Sequence, residues 1–354
     1  MPSLFDPLTL GDITIPNRII MAPLTRARAP EARVPNALMA EHYVQRASAG
    51  LIISEATAVT PMGVGYADTP GLWSDEQVAG WKKVTKAVHA AGGRIFAQLW
   101  HVGRISSPIF LNGESPVSAS AIAAQGHVSL VRPKQEYPVP RALETSEIPG
   151  IVEAYRKGAM NAQMADFDGV EIHGANGYLL DQFLQDGSNK RTDNYGGPIQ
   201  NRARLMLEVT DAVTSVWEPG LVGMHLAPRM DGHSMGDSDR LGTFTYVARE
   251  LGERGIAFIC AREHKAEDWI GPQLKKAFGG VYIANEGFTK DSAQATLDAG
   301  EADAIAWGKL FIANPDLVER FQTNAPLNTP NPETFYHPGA HGYTDYPTLQ
   351  SRAA

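Results

Sequence analysis

A chain of 354 residues, 43% apolar and 20% charged, has ample material for a buried core and the composition of a globular protein. Its net charge of −8 argues against nucleic acid as a partner, because phosphate binding wants a basic face. Cys260 is the only cysteine, which excludes an intramolecular disulfide, a cysteine-ligated iron–sulfur cluster and a Cys-rich zinc site.

No apolar run approaches the roughly 20 residues needed to cross a membrane. The first residues, Met1-Pro2-Ser3-Leu4-Phe5-Asp6, lack the basic and apolar regions of a signal peptide, so a cytoplasmic location is the default expectation. Arg18 to Pro23 reads as a short buried strand running into a proline loop, and Leu51 to Ala56 as a second. A helix follows. Asp75 caps it, and Val78, Trp81, Val84, Thr85 and Val88 recur at helical spacing until Gly92-Gly93 stop it. Arg94 to Trp100 is the third strand.

Residues 102–145 break the rhythm with scattered Pro, Gly and Ser. The stretch is too long for a plain connection and predicts an excursion with its own hairpin, a lid over one end of the fold. A helix over about 147–165 leads to the fourth strand, Gly169-Val170-Glu171-Ile172-His173-Gly174. Helices near 199–217, 243–254, 290–299 and 315–321 alternate with strands near 221–226, 257–261, 281–284 and 304–307. Cys260 lies in the sixth strand and reads as a small buried filler. The tail, 325–354, is rich in Pro, Gly and Tyr and has no period. Eight short apolar strands, most followed by a helix, fit one α/β domain over residues 1–354, a (β/α)8 TIM barrel. A doubly wound sheet is the alternative, but no G-x-G-x-x-G follows an early strand.

Catalytic groups in such a barrel sit where strands hand over to the following loops. Those positions hold Pro23-Leu24-Thr25, Ala56, Gln98 with Trp100 and His101, His173 with Asn176 and Tyr178, His225, Arg262, Asn285-Glu286-Gly287, and Gly308-Lys309. Only Glu55 and Glu286 are carboxylates there, and Glu55 is expected in an ion pair within the barrel. The histidines lack H-E-x-x-H spacing; His264, His337 and His341 read as solvated or structural. Paired-carboxylate glycosidase chemistry and two-metal hydrolysis are therefore disfavoured, and no metal is expected. Thr25, Gln98 and Asn176 are neutral hydrogen-bonding groups. Together with a Gly-Lys past the last strand they suit a cofactor with a phosphate and a polar, uncharged head, a description that FMN meets. A phosphate-binding isomerase or aldolase is disfavoured because no strand-end lysine is placed for a Schiff base. A catalytically weak flavin- or ligand-binding barrel is the rival from another class.

A series of motifs runs in order along nearly the whole chain: Asn17-Arg18-Ile19-Ile20-Met21-Ala22-Pro23-Leu24-Thr25-Arg26, His42-Tyr43-Val44-Gln45-Arg46-Ala47, Gln98-Leu99-Trp100-His101-Val102-Gly103-Arg104, the fourth strand and its turn through Tyr178, Asp181-Gln182-Phe183-Leu184, Asn194-Tyr195-Gly196-Gly197 with Asn201-Arg202, Phe311 to Leu317, and Gly342 to Pro347. With these the sequence resembles the old yellow enzyme family of FMN-dependent ene-reductases. The resemblance implies bound FMN and NADPH or NADH as reductant. It implies activated alkenes (enones, maleimides, nitroalkenes) as substrates, with nitro compounds and nitrate esters as further candidates.

By position, Thr25 resembles the residue that bonds the flavin O4; Pro23, Leu24 and Ala56 would line the ring, and Gln98 its pyrimidine edge. His173 and Asn176 resemble the pair that binds the substrate's oxygen, and Tyr178 the proton donor. Tyr66 and Trp100 would shape the substrate pocket, and Phe335 and Tyr336 would close over the cofactor. Gly287, Gly308 and Lys309 stand at the expected phosphate seat, with Glu286 beside it and its side chain expected to point out. The family has no separate dinucleotide domain. A monomer or small homo-oligomer without nucleic-acid or membrane partners is expected.

Two positions depart from the family. His225 stands where an Arg near flavin N1 and O2 is usual, and Lys309 where Arg is common after Gly308. Arg is permanently charged, whereas a His with a reference pKa of about 6.5 is charged only conditionally. Either His225 or Arg229, four residues on, is expected to take the N1/O2 role.

Overall fold

The computed structural model describes residues 1–229 and 232–352. Its centre is a closed ring of eight parallel strands: β1 (Ile19–Met21), β2 (Leu51–Ile53), β3 (Ile95–Trp100), β4 (Gly169–Gly174), β5 (Val222–Leu226), β6 (Phe258–Arg262), β7 (Val281–Asn285) and β8 (Ala304–Trp307). Each pairs with the next, and β8 pairs with β1. Strands buried on both faces read as nearly continuous apolar runs, which is why all eight stand out in the sequence. One set of alternate residues, including Ile20, Phe96, Phe258, Cys260, Ile283 and Ala306, packs inside the barrel. The other set, including Ile52, Leu99, Ile172, Met224, Ile259 and Ile305, packs against the helices. Along the inward set the chemistry changes towards the C-terminal end: Phe96 gives way to Gln98, Cys260 to Arg262 and Ile283 to Asn285. That polar rim is where a site can form.

Helices α1 (Ala37–Val44), α2 (Asp75–Ala90), α3 (Ile148–Met164), α4 (Ile199–Thr214), α5 (Arg240–Glu253), α6 (Gly271–Phe278), α7 (Lys290–Asp298) and α8 (Leu317–Thr323) follow the strands in turn. Among the described residues none is long and apolar enough to cross a membrane. Several differ from the sequence expectation. The cap of α2 is Ser74, which forms a capping box with Gln77, so Asp75 is instead a first-turn acid that complements the helix dipole. α6 was hidden by Gly271-Pro272, a pair that looks like a breaker; proline is tolerated in a first turn, and Gly279 ends the helix at φ 72°. A five-residue helix, Lys309–Ala313, precedes α8. An antiparallel pair, Leu8–Leu10 with Ile13–Ile15, was not foreseen; it places Leu10 and Ile15 against the barrel's interior cluster at its N-terminal mouth.

The excursion after β3 is not a regular hairpin. Its two-residue strands, Val117–Ser118 and Arg141–Ala142, pair in parallel, and one antiparallel bridge joins His127 to Glu136. Pro133, Pro138 and Pro140 remove the donors that a longer ladder would need. Its apolar side chains Ala124, Val128, Val131 and Tyr137 nevertheless pack with Ala56, Trp100, Val102 and Ile105 beyond the end of β3.

The aperiodic tail forms only a 3-10 turn, Pro332–Thr334, and a four-residue helix, Leu349–Arg352, and is otherwise held by a clasp. Arg26 donates to the carbonyls of Phe335 and Gly342, and Arg28 to those of Arg26, Thr334, Phe335, Gly339 and His341. Tyr343 is fully buried and stacks on His42 with ring centroids 4.0 Å apart. The guanidinium groups of Arg26 and Arg28 lie 5.0 and 4.5 Å from its centroid. Glu55 is drawn into this region: it accepts the backbone N–H of Arg26 at 3.1 Å, and among the described residues it forms no side-chain ion pair of the kind expected.

Candidate active site

β4 ends in a tight turn at Ala175-Asn176-Gly177. Asn176 and Gly177 both take left-handed backbone conformations, φ 59° and 74°, which Asn tolerates and Gly adopts freely. A Cβ on Gly177 would stand 2.9 Å from the Met235 side chain, so the turn is also crowded. The carboxylate of Asp181 accepts the Gly177 N–H at 2.9 Å and the Gln185 amide at 2.7 Å, which fixes the turn from below. Burial pushes the Asp181 carboxyl up to about 7.

The turn gathers three side chains. His173 is buried, and burial first, then the neighbouring His225 and Arg262, push its imidazole well below the usual range, so the ring is neutral. Its buried Nδ1 has no partner among the described residues. Tyr178 sets its ring edge-on to His173 and to Trp100, at 5.0 Å in each case. Its hydroxyl lies 2.9 Å from that of Tyr66. Burial pushes both phenols up, the Tyr66 contact opposing this for Tyr178, and both stay protonated near neutrality. Asn176 uses its amide oxygen to accept Arg262 Nη1 at 3.0 Å, leaving its NH2 as the end that can donate.

Arg262 also donates Nε to Glu286 at 2.6 Å. Both residues line a cavity of about 380 Å3 together with Ala22, Pro23, Leu24, Asn176, His225, Gly287, Ala306, Gly308 and Lys309. Glu286 therefore does not point away as expected; its charge is balanced by Arg262 at the cavity wall. Ala56, Trp100, Tyr66 and Tyr178 form an adjoining apolar group. Thr25 is half-buried beside Leu24, and Tyr336 is 47% exposed. Gln98 lies deeper, donating to Glu171 at 2.7 Å. Arg229 is not part of the cavity wall: it pairs with Asp268 at 2.7 Å and stands 3.7 Å from Glu263. Of the two candidates for the N1/O2 role, His225 is the one at the wall.

The expected positions passed over two residues. Strand-end position alone gives Arg262 no role, and it does not mark Glu171 at all. Glu171 is fully buried, two residues before His173 and so on the same face of β4.

These residues fit FMN. Ala22, Pro23, Leu24 and Ala306 offer apolar surface to a flat ring. His225 lines the same cavity and places an imidazole at its edge. Gly287, Gly308 and Lys309 supply amides and a cation for a phosphate. The cavity is of the size usual for small-molecule sites, about 300 to 1,000 Å3.

Comparison with known proteins gives the same answer. Residues 3–328 match the family described as NADH:flavin oxidoreductase / NADH oxidase. The chain is 42% identical to the "Probable flavin mononucleotide-dependent alkene reductase" of Leishmania infantum, covering 97% of this chain and 96% of that one. It superposes on morphinone reductase in complex with tetrahydroNAD with a TM-score of 0.95 at 49% identity, over 99% of this chain and 98% of the other. On the old yellow enzyme homologue of Zymomonas mobilis the TM-score is 0.96 at 46% identity, over 98% of this chain and 100% of the other. The polar rim, the cavity and these likenesses lead to one conclusion: the chain belongs to the NADH:flavin oxidoreductase / NADH oxidase family, that of old yellow enzyme, and is an FMN-dependent oxidoreductase that uses NAD(P)H.

Proposed function

We propose that the protein is an ene-reductase acting on activated alkenes (enones, maleimides and nitroalkenes), with nitro compounds and nitrate esters as further substrates. The observation that carries this reading is the convergence of His173, Asn176 and Tyr178 on one turn beside the cavity. Bound FMN supplies hydride transfer from NADPH or NADH to the β-carbon of the alkene.

This chain's residues do the rest. His173 and Asn176 hold the activating oxygen, on which negative charge builds; a fixed donor of this kind contributes about 2.7 to 4 kcal/mol. Arg262 keeps the Asn176 NH2 directed to that task by occupying its oxygen. Tyr178 gives its proton to the α-carbon, and Tyr66, already hydrogen-bonded, stabilises the phenolate left behind. Trp100 and Tyr66 wall the substrate pocket. Pro23, Leu24 and Ala56 pack on the cofactor ring, Thr25 and Gln98 bond its edge, and Phe335 and Tyr336 close over it. Gln98 already gives its NH2 to Glu171, so its oxygen is the end that serves the cofactor. His225 takes the N1/O2 position. Gly287, Gly308 and Lys309 hold the phosphate, with the Glu286 charge neutralised by Arg262. The chain acts in the cytoplasm as one domain, monomeric or a small homo-oligomer, on small molecules alone.

The test is spectroscopic. Purified protein should be yellow, should bleach with NADPH under anaerobic conditions, and should regain colour with cyclohexenone. Bleaching that no activated alkene reverses would reject the ene-reductase reading.

A further inference from the structure

We infer that Gln182 is a positioning residue for the proton transfer. It ties the turn that carries Asn176 and Tyr178 to the loop that follows Trp100, and so sets where the phenol stands over the substrate. This rests on the roles of Asn176 and Tyr178 proposed above. The need for such a tie follows from the turn itself. Gly177 separates the two residues and sits at φ 74°. Glycine enters that conformation freely and, for the same reason, leaves it freely. The peptide groups on either side of Gly177 are held instead from the short helix Leu179–Leu184. Asp181 accepts the Gly177 N–H at 2.9 Å, and Gln182 donates Nε2 to the Gly177 carbonyl at 2.7 Å.

Gln182 reaches further than the turn. Its Nε2 also donates to the Val102 carbonyl at 2.9 Å, while its Oε1 accepts the Arg104 N–H at 3.1 Å and the Ser118 hydroxyl at 2.9 Å. The two carbonyls demand the NH2 and the backbone N–H demands the oxygen, so only one orientation of the amide serves. The side chain is fully buried, and its amide joins the β4 turn, the loop after β3 and the start of the excursion. Gly103 fits beneath it only for want of a side chain: a Cβ there would stand 2.1 Å from Gln182 Oε1. Trp100 meets Tyr178 edge-on at 5.0 Å, so the loop that Gln182 grips is the one whose indole supports the phenol. From Arg104 the tie runs on. Its guanidinium donates to the carbonyls of Ile122, His233 and Ser234, and the His233 ring stands 6.1 Å from that of Tyr178.

The chemistry makes this position matter. Once hydride has bonded to the β-carbon, the alkene electron pair is shared between the α-carbon and the oxygen held by His173 and Asn176. The α-carbon then bonds the Tyr178 proton, and the phenolate oxygen keeps the O–H pair until water returns a proton. A misplacement of about 1 Å can cost about 100-fold, and water, which approaches either face of the α-carbon, then competes. Hydride transfer from the nicotinamide draws on no such proton.

The experiment uses FMN-loaded wild type, Gln182→Met and Gln182→Glu, with a cyclohexenone carrying a methyl group on its α-carbon. Met keeps the length and removes every bond of the amide; Glu keeps the acceptor side and leaves at most one donation. The rates read are flavin reduction by NADPH, reoxidation by the enone, and reoxidation by ferricyanide, which takes electrons without a phenol proton. The configuration of the product's α-carbon is read beside them, with Tyr178→Phe as reference. In Gln182→Met, reoxidation by the enone should fall about 10- to 100-fold while the other two rates change by less than about twofold. Enantiomeric excess should fall towards that of Tyr178→Phe, with Gln182→Glu between. An unchanged enone rate and excess in Gln182→Met overturns the inference, as do equal losses in all the rates, which a merely structural role would give. If Gln182→Met does not fold, Gln182→Glu decides by the same criteria. In the wild type, the Gln182 NH2 should exchange slowly with deuterated water; exchange as fast as that of an exposed glutamine overturns the inference whatever the variants do. A wild type that reduces no enone strikes the proposed function, whereas variants that match a competent wild type strike this inference alone.

Discussion

The molecule buries polar groups in two places and treats them differently. At the clasp, Arg28 spreads its guanidinium over the carbonyls of Arg26, Thr334, Phe335, Gly339 and His341. At the rim of the barrel, His173 Nδ1 and His225 Nε2 are buried and have no partner among the described residues. Unpaired polar atoms are costly in a core. The clasp too leaves buried polar atoms without a partner among the described residues, Arg26 Nη1, His42 Nε2 and the Tyr343 hydroxyl. What separates the two regions is that the rim borders a cavity of about 380 Å3, whereas the clasp is filled by the chain's own tail.

The comparison can be broken from either side. The largest effect should come from the rim: Tyr178→Phe should slow reoxidation by an enone by about 100-fold or more and leave reduction by NADPH nearly unchanged in stopped-flow traces. A comparable loss in the reductive half would assign the phenol another task. At the clasp, Arg28→Met should cost about 3 kcal/mol of stability by stranding buried carbonyls, read in urea unfolding; an unchanged midpoint would show that the clasp holds nothing.

A smaller effect sharpens the picture at the rim. Arg262→Met frees the Asn176 amide to rotate and should lower kcat/KM for enones about tenfold, worth about 1.4 kcal/mol, with the thermal midpoint unmoved. The smallest concerns Asp181, pushed up to about 7 by burial against about 3.9 in an unfolded chain. Between those values the folded state holds a proton that the unfolded state has lost, so this contribution to stability is full below about pH 4 and gone above about pH 7. The difference in melting temperature between wild type and Asp181→Asn should therefore change by about 2 °C or more from pH 5 to pH 8, and a constant difference would remove Asp181 from the account.

Much of this was legible in the sequence because it is local. Each strand is apolar on both faces, so eight of them could be counted, and His173, Asn176 and Tyr178 lie within six consecutive residues. What escaped depends on partners far away in the chain. Arg262 finds Asn176 across 86 residues, and the direction of Arg229 is set by Asp268 in another loop. Glu171 was missed for a different reason: inside an apolar alternation a single carboxylate looks like noise until the register shows which way it faces. Of the expected hairpin the described residues show one antiparallel bridge, His127 to Glu136; periodicity says nothing about which short pieces pair.

The clasp also has a consequence in time. Arg28 bonds to carbonyls more than 300 positions later, and those residues are made after every strand of the barrel. Chains fold from the N-terminus as they are synthesised, so every strand of the barrel is made before the segment that Arg26 and Arg28 hold, and the clasp closes only once the end of the chain is made.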